Sequence, residues 1–154
     1  MDYYFEFKKI STEYIKNFDI KHYSTIEVYN KLKNGFSEKN KKDLPYTVQV
    51  CTELQNVIKF NFVLFRLIPP MSTLTWHIDD DLDEVSYHIP ITSNEGCYYI
   101  YEDRAYNMQS LGSLYLVRTN KFHTFMNAGI TPRLHLHFVN DLDGRYVQRN
   151  EDNM

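Results

Sequence analysis

The chain has 154 residues, enough for one ordinary domain and too few for two, and its 43% hydrophobic content with only five Gly and five Pro excludes a disordered or low-complexity chain. Lys and Arg total 17 against 20 acidic residues, a net charge of −3, so no chain-wide positive field exists to attract nucleic acid. No apolar run approaches the ~20 residues of a membrane span, and Cys51 and Cys97 are too few for a disulfide framework, so both read as buried, reduced thiols of a soluble cytoplasmic protein.

The first element expected is a helix over Ser24–Gly35, with Ser24 and Glu27 as a capping box, Ile26 and Tyr29 at helical spacing and Gly35 at the stop. The lysine-rich stretch Lys31–Asp43 reads as a solvated loop. After Pro45 come YTVQV, FNFVLFRLI, TLTWHI, VSYHIPI, CYYIY, SLYLV and RLHLHF, short apolar or aromatic runs separated by turn signals. With 13 Tyr and 10 Phe favouring pleated surfaces, they predict a mainly β fold, a sandwich or barrel. Phe60–Ile68 is apolar on both faces, which suits a strand covered by a second sheet on one side and by a helix on the other. Residues 1–45 then form a helical cover, 46–143 the β-barrel and 144–154 a tail, in one domain.

His77-Ile78-Asp79 closes the TLTWHI run, and period-two geometry places His77 and Asp79 on one face, a spacing at which two ligands can share a metal. His123, in the turn-like Thr119–Phe125 stretch, is the best third ligand. Two imidazoles and one carboxylate form the facial triad that holds Fe(II) with positions left open for a co-substrate and dioxygen. Ten residues on, Arg133 begins an alternating run in which Arg133, His135 and His137 share a face. A guanidinium there can fix the far carboxylate of a dicarboxylate whose near end chelates the iron.

The blocks from Phe65 to Asp143 resemble the aspartyl/asparaginyl β-hydroxylase family of Fe(II)- and 2-oxoglutarate-dependent oxygenases: Arg66–Pro70, His77-Ile78-Asp79, Tyr87–Ile91, Glu95-Gly96-Cys97, Gly112–Tyr115, His123–Asn127 and Arg133–Leu136, matching in order and spacing. The resemblance implies a double-stranded β-helix of cupin type, iron on His77, Asp79 and His123, the distal carboxylate of 2-oxoglutarate on Arg133, and His88 near its iron-bound end. Relatives often carry an arginine at the position of Ser86; Arg66 can compensate. The implied activity is hydroxylation of an amino acid or amino-acid-like side chain, free or in a peptide, with 2-oxoglutarate and O2 as co-substrates.

Plainer readings stand beside these. His88 reads equally as a hydrogen-bonded core histidine, His135 and His137 as pocket lining, Asp79–Glu84 as a solvated loop after the ligand, and Trp76, Tyr98, Tyr99 and Tyr101 as core or sheet aromatics. A non-catalytic cupin-like module that binds a metal or small acid, and a cupin dioxygenase that needs no 2-oxoglutarate, are the rival functions.

Overall fold

The computed structural model describes residues 24–146. Its elements in chain order are β1 (Ser24–Asn30), β2 (Gly35–Phe36), α1 (Glu38–Asp43), α2 (Pro45–Leu54), β3 (Phe62–Ile68), β4 (Ser72–Thr73), β5 (Val85–Pro90), β6 (Cys97–Tyr101), β7 (Ala105–Tyr106), β8 (Tyr115–Arg118), β9 (His123–Asn127) and β10 (Arg133–Val139). They form a six-stranded sheet, β2-β1-β3-β10-β5-β8, and a four-stranded sheet, β4-β9-β6-β7, with every pairing antiparallel. This is the mainly β architecture expected from the run pattern, in the double-stranded β-helix form that the family resemblance implies.

The central strands explain their own composition. Val63, Phe65 and Leu67 of β3 and Leu134, Leu136 and Phe138 of β10 pack outward against Leu44, Val50, Cys51 and Leu54 of the helical segment. The alternate residues, Arg66 and Ile68 of β3 and His135 and His137 of β10, face the space between the sheets. A strand buried on both faces has no polar alternation to show, as the Phe60–Ile68 run has none.

Several expectations are corrected. Ser24–Asn30 is a strand, not a helix: it pairs antiparallel with β3 from Ser24↔Leu67 to Asn30↔Phe62, with a register shift between Glu27 and Tyr29. Its β-branched and aromatic residues pack better on a pleated surface than the helical spacing implied. Asn30 ends it, its side-chain oxygen accepting from the amides of Leu32 and Lys33, and Gly35 takes φ 73° in the turn that starts β2. The lysine-rich loop contains α1, whose N-cap Ser37 accepts from the Asn40 amide, although Lys39, Lys41 and Lys42 are exposed as expected.

YTVQV lies in α2, which begins at Pro45 and buries Thr47, Val50, Cys51 and Leu54, the i, i+3, i+4, i+7 pattern of a helix face. Among the described residues the cover of the barrel is therefore α1 and α2; residues 1–23 of the expected cover and 147–154 of the expected tail lie outside them. The TLTWHI run is strand only near its start, in β4, and then touches the sheet through one bridge at His77. Trp76 is 41% exposed and stacks on Phe122 at the surface rather than in the core.

Cys51 and Cys97 are both buried and free, and burial raises the Cys51 thiol to about 12, as for an inert core group. Among the described residues no helix is long and apolar enough to cross a membrane. Leu54→Ala, which removes a fully buried side chain from the helix–sheet contact, is expected to destabilise the fold by about 2–5 kcal/mol, whereas Leu32→Ala, at a 55% exposed turn position, should change stability little. Urea unfolding of the two variants checks whether α2 is integral to the core.

Candidate metal centre

Three side chains from two segments converge at one end of the space between the sheets. His77 and His123 form an isolated antiparallel bridge, each amide donating to the other's carbonyl at 2.9 Å. The Asp79 amide donates to the Thr119 carbonyl at 3.0 Å. These bonds fix the segment after β4 against β9 and aim His77, Asp79 and His123 at a common point. The carboxylate stands between the imidazoles: Asp79 Oδ1 lies 3.6 Å from His77 Nε2, and Asp79 Oδ2 3.3 Å from His123 Nε2. One candidate ligand atom from each residue lies within 4.8 Å of the others, the one such cluster of metal-ligating side chains among the described residues.

The tautomers are set by the backbone. His77 Nδ1 donates to the Thr75 carbonyl at 2.5 Å and His123 Nδ1 to the Lys121 carbonyl at 2.6 Å, leaving both Nε2 lone pairs for a metal. The ring of Tyr99 stacks on His123 at 5.0 Å with an interplanar angle of 17°, which fixes the ring plane as well. Asp79 and His123 are buried and His77 is half-buried, so the cluster is reached from one side.

Behind it lies a cavity of about 420 Å³. Arg66, Ser86 and His88 line it, as do His135 and His137. Arg133 does not: it is fully buried, its guanidinium carbon 4.3 Å from the centroid of the Phe125 ring, and Phe125 is the lining residue. Nε and Nη1 of Arg133 have no hydrogen-bond partner among the described residues, and Nη2 reaches only the Met108 sulfur at 3.9 Å. Burial lowers this guanidinium to about 9.

The imidazoles form a parallel stack, His88 against His137 at 4.1 Å and against His135 at 4.8 Å. His88 Nδ1 and His135 Nδ1 are 2.7 Å apart, so one ring donates and the other accepts, and His137 Nε2 is 3.1 Å from Ser86 Oγ. Burial holds all three well below the ordinary imidazole range, helped next by Arg133 for His88 and His135 and by His88 for His137. The wall opposite the metal cluster is therefore neutral imidazole with a guanidinium, Arg66, and no carboxylate among the described lining residues other than Asp79.

Two contributors gave no usable signal in the sequence. Tyr146, assigned to the tail, is buried in the cavity wall; its hydroxyl accepts from Arg66 Nη2 at 2.5 Å and lies 3.5 Å from His137 Nδ1. Its amide donates to Asp141 Oδ1 nearby in sequence, but the tie to Arg66, 80 residues away, is one that no local pattern announces. Tyr99 looked like an ordinary sheet aromatic. The acidic run after the ligand is not simply solvated: Asp81 and Leu82 are buried, Leu82 bridges Asp141, and Asp83 accepts from Asn140 and lies 3.4 Å from Lys59.

The family model for aspartyl/asparaginyl beta-hydroxylase matches residues 6–140. The chain belongs to that family. Membership makes the protein an enzyme of the 2-oxoglutarate-dependent hydroxylase class. No curated protein matches the sequence. Among solved structures, an oxidoreductase of the 2OG-Fe(II) oxygenase family from Burkholderia pseudomallei is similar at a TM-score of 0.60 and 10% identity, over 86% of this chain and 75% of the other. The viral collagen prolyl hydroxylase vCPH of Paramecium Bursaria Chlorella virus-1, solved with 2OG, is similar at 0.54 and 14% identity, over 86% and 87%. At such identities these likenesses show a shared fold.

The neutral histidines make stability depend on pH. Their folded-state affinity for protons is depressed, so below the ordinary imidazole pKa of about 6.5 the unfolded chain binds more protons than the fold. Stability is complete above that pH and is lost as pH falls, by up to ~1.4 kcal/mol per pH unit for each histidine. Scanning calorimetry of the metal-free chain should show the melting temperature falling from pH 7.5 to 5.5, with a shallower fall in His135→Phe; a flat profile contradicts buried neutral imidazoles.

Proposed function

We propose that the protein is an Fe(II)- and 2-oxoglutarate-dependent dioxygenase that hydroxylates an amino acid or amino-acid-like side chain, free or in a peptide. The observation that carries the reading is the convergence of His77 Nε2 and His123 Nε2 on the Asp79 carboxylate, with both Nδ1 atoms engaged by backbone carbonyls. Two imidazole nitrogens and one carboxylate oxygen are the donor set that suits ferrous iron with coordination positions left open. A closed structural site would need a fourth protein ligand, and no further His, Cys, Asp or Glu joins the cluster among the described residues.

A 2-oxoacid fits the rest of the cavity. A fully buried guanidinium with two unpartnered nitrogens is costly unless an anion reaches it, and Arg133 is such a group. In this reading the Phe125 ring that covers Arg133 moves aside and Arg133 takes the distal carboxylate of 2-oxoglutarate as a charge-assisted pair, while Arg66, Ser86 and His88 complete its surroundings. Bound iron with 2-oxoglutarate and O2 supplies an oxidant strong enough to break an unactivated C–H bond.

The chain's own residues do the rest. The Thr75 and Lys121 carbonyls keep both ligand imidazoles in the metal-binding tautomer. Asp79 supplies the negative charge that offsets a divalent ion in a buried site. Ile68, Leu74 and Phe125 supply apolar lining to the cavity, and the neutral histidine stack offers hydrogen bonds without adding positive charge near the metal site. Substrate placement then decides which carbon reacts.

Anaerobic addition of Fe(II) and 2-oxoglutarate is expected to give the visible charge-transfer band of the chelate, followed by succinate release in air; metal binding with neither signal favours a binding module. Arg133→Ala should raise the 2-oxoglutarate requirement at least roughly tenfold, since a charge-assisted bond is worth about 1.5–3 kcal/mol. An unchanged requirement counts against the assignment. Oxygen uptake that ignores added 2-oxoacid points to a dioxygenase independent of it.

A further inference from the structure

A second cavity, of about 510 Å³, lies in the seam where β6 and β7 of the smaller sheet approach β8 of the larger one. It stands at the metal end of the barrel: Tyr101 is paired in register with His123, and Arg118 precedes Thr119, whose carbonyl holds the Asp79 amide. Tyr99 is the wall shared with the metal cavity. None of the groups assigned above to metal or 2-oxoglutarate lines this second space.

Its lining is chemically distinctive. Tyr99, Tyr101, Tyr106 and Tyr115 surround it, with Tyr101 set edge-on to both Tyr99, at 5.2 Å, and Tyr106, at 5.9 Å. Rings in edge contact with one another form a continuous aromatic wall, against which another flat ring can pack. Two hydroxyl oxygens are already engaged as acceptors, Tyr101 from the Arg118 amide at 2.8 Å and Tyr115 from the Ser110 amide at 3.2 Å.

Charge at the rim is one-sided. Arg104 lies beside Asp103, at 3.9 Å, but Arg118 and Lys121 have no carboxylate partner among the described residues. On a chain whose net charge is −3, two uncompensated cations at the mouth of a tyrosine-lined slot are a local exception. Guanidinium and ammonium groups beside aromatic walls receive a ligand that joins a π face to an acid group. The volume falls within the ~300–1,000 Å³ range of small-molecule sites.

We propose that the seam cavity is a second small-molecule site, which takes a flat aromatic ring bearing a carboxylate, the ring against the tyrosine wall and the acid at Arg118 and Lys121. The site stands on its own geometry and does not depend on iron or 2-oxoglutarate. An occupant lies against Tyr99, the residue that stacks on the ligand imidazole of His123.

Isothermal titration of the full chain with indole-3-acetate tests it, with indole as the ring without the acid and acetate as the acid without the ring. Saturable binding of indole-3-acetate is expected, at least tenfold tighter than either control. Arg118→Ala should weaken it at least fivefold and Tyr106→Ala, at an exposed position, at least threefold, while His77→Ala leaves it unchanged. No saturable binding, equal binding of indole, or loss in His77→Ala with Arg118→Ala unaffected overturns the proposal; the last places the probe in the metal cavity. Failure here leaves the charge-transfer and succinate signals untouched, so the two readings fail separately.

Discussion

The pair of backbone hydrogen bonds between His77 and His123 is the constraint on which the rest of the site depends. Ligands 46 positions apart in sequence cannot be held by local structure, and the segment carrying His77 and Asp79 has little regular structure beyond β4. The bridge joins that segment to the first residue of β9, and β9 is held in turn by five register pairs with β6. Asp79 is fixed separately, by its amide on Thr119 at the end of β8, so both sheets contribute to one constellation. Orientation comes from carbonyls two residues before each histidine, which makes the ligand tautomer a consequence of chain path.

Polar groups sit inside this barrel because apolar ones are spent on its outside. The six-stranded sheet buries Leu134, Leu136 and Phe138 under the helices, which frees the opposite face of β10 for Arg133, His135 and His137. That face is as buried as the apolar one, and its imidazoles are tolerable because they are neutral and hydrogen-bonded, His135 to His88 and His137 to Ser86. Arg133 is the exception, a cation whose environment is completed by a ligand in the proposed function. The price of such an interior is acid sensitivity, since each neutral imidazole is a proton acceptor withheld from solvent.

Much of this was legible in the sequence because strand periodicity survives where one face is polar. RLHLHF showed its two faces directly, and His77-Ile78-Asp79 showed its shared side without any knowledge of the fold. Ser24–Asn30 carries a misleading helix signal because Ser, Glu and Gly fit helix punctuation, while the β3 edge that recruits this segment is invisible locally. YTVQV failed in the opposite sense: β-branched letters suggested a strand, but Pro45 at the first turn and burial at helical spacing against the sheet outweighed propensity. Tyr146 and the carbonyls of Thr75 and Lys121 escaped because tertiary ties and main-chain atoms leave no residue-type signature.

The central claim is that His77, Asp79 and His123 hold one ferrous ion together. X-ray absorption at the iron edge, on the anaerobic full chain with one equivalent of Fe(II), tests it most directly when repeated on Asp79→Ala and His123→Ala. The account predicts single-site occupancy with two imidazoles among the ligands, reduced to one in His123→Ala and with weakened iron retention in both variants. A wild-type spectrum with fewer than two imidazoles, or one that His123→Ala leaves unaltered, contradicts it.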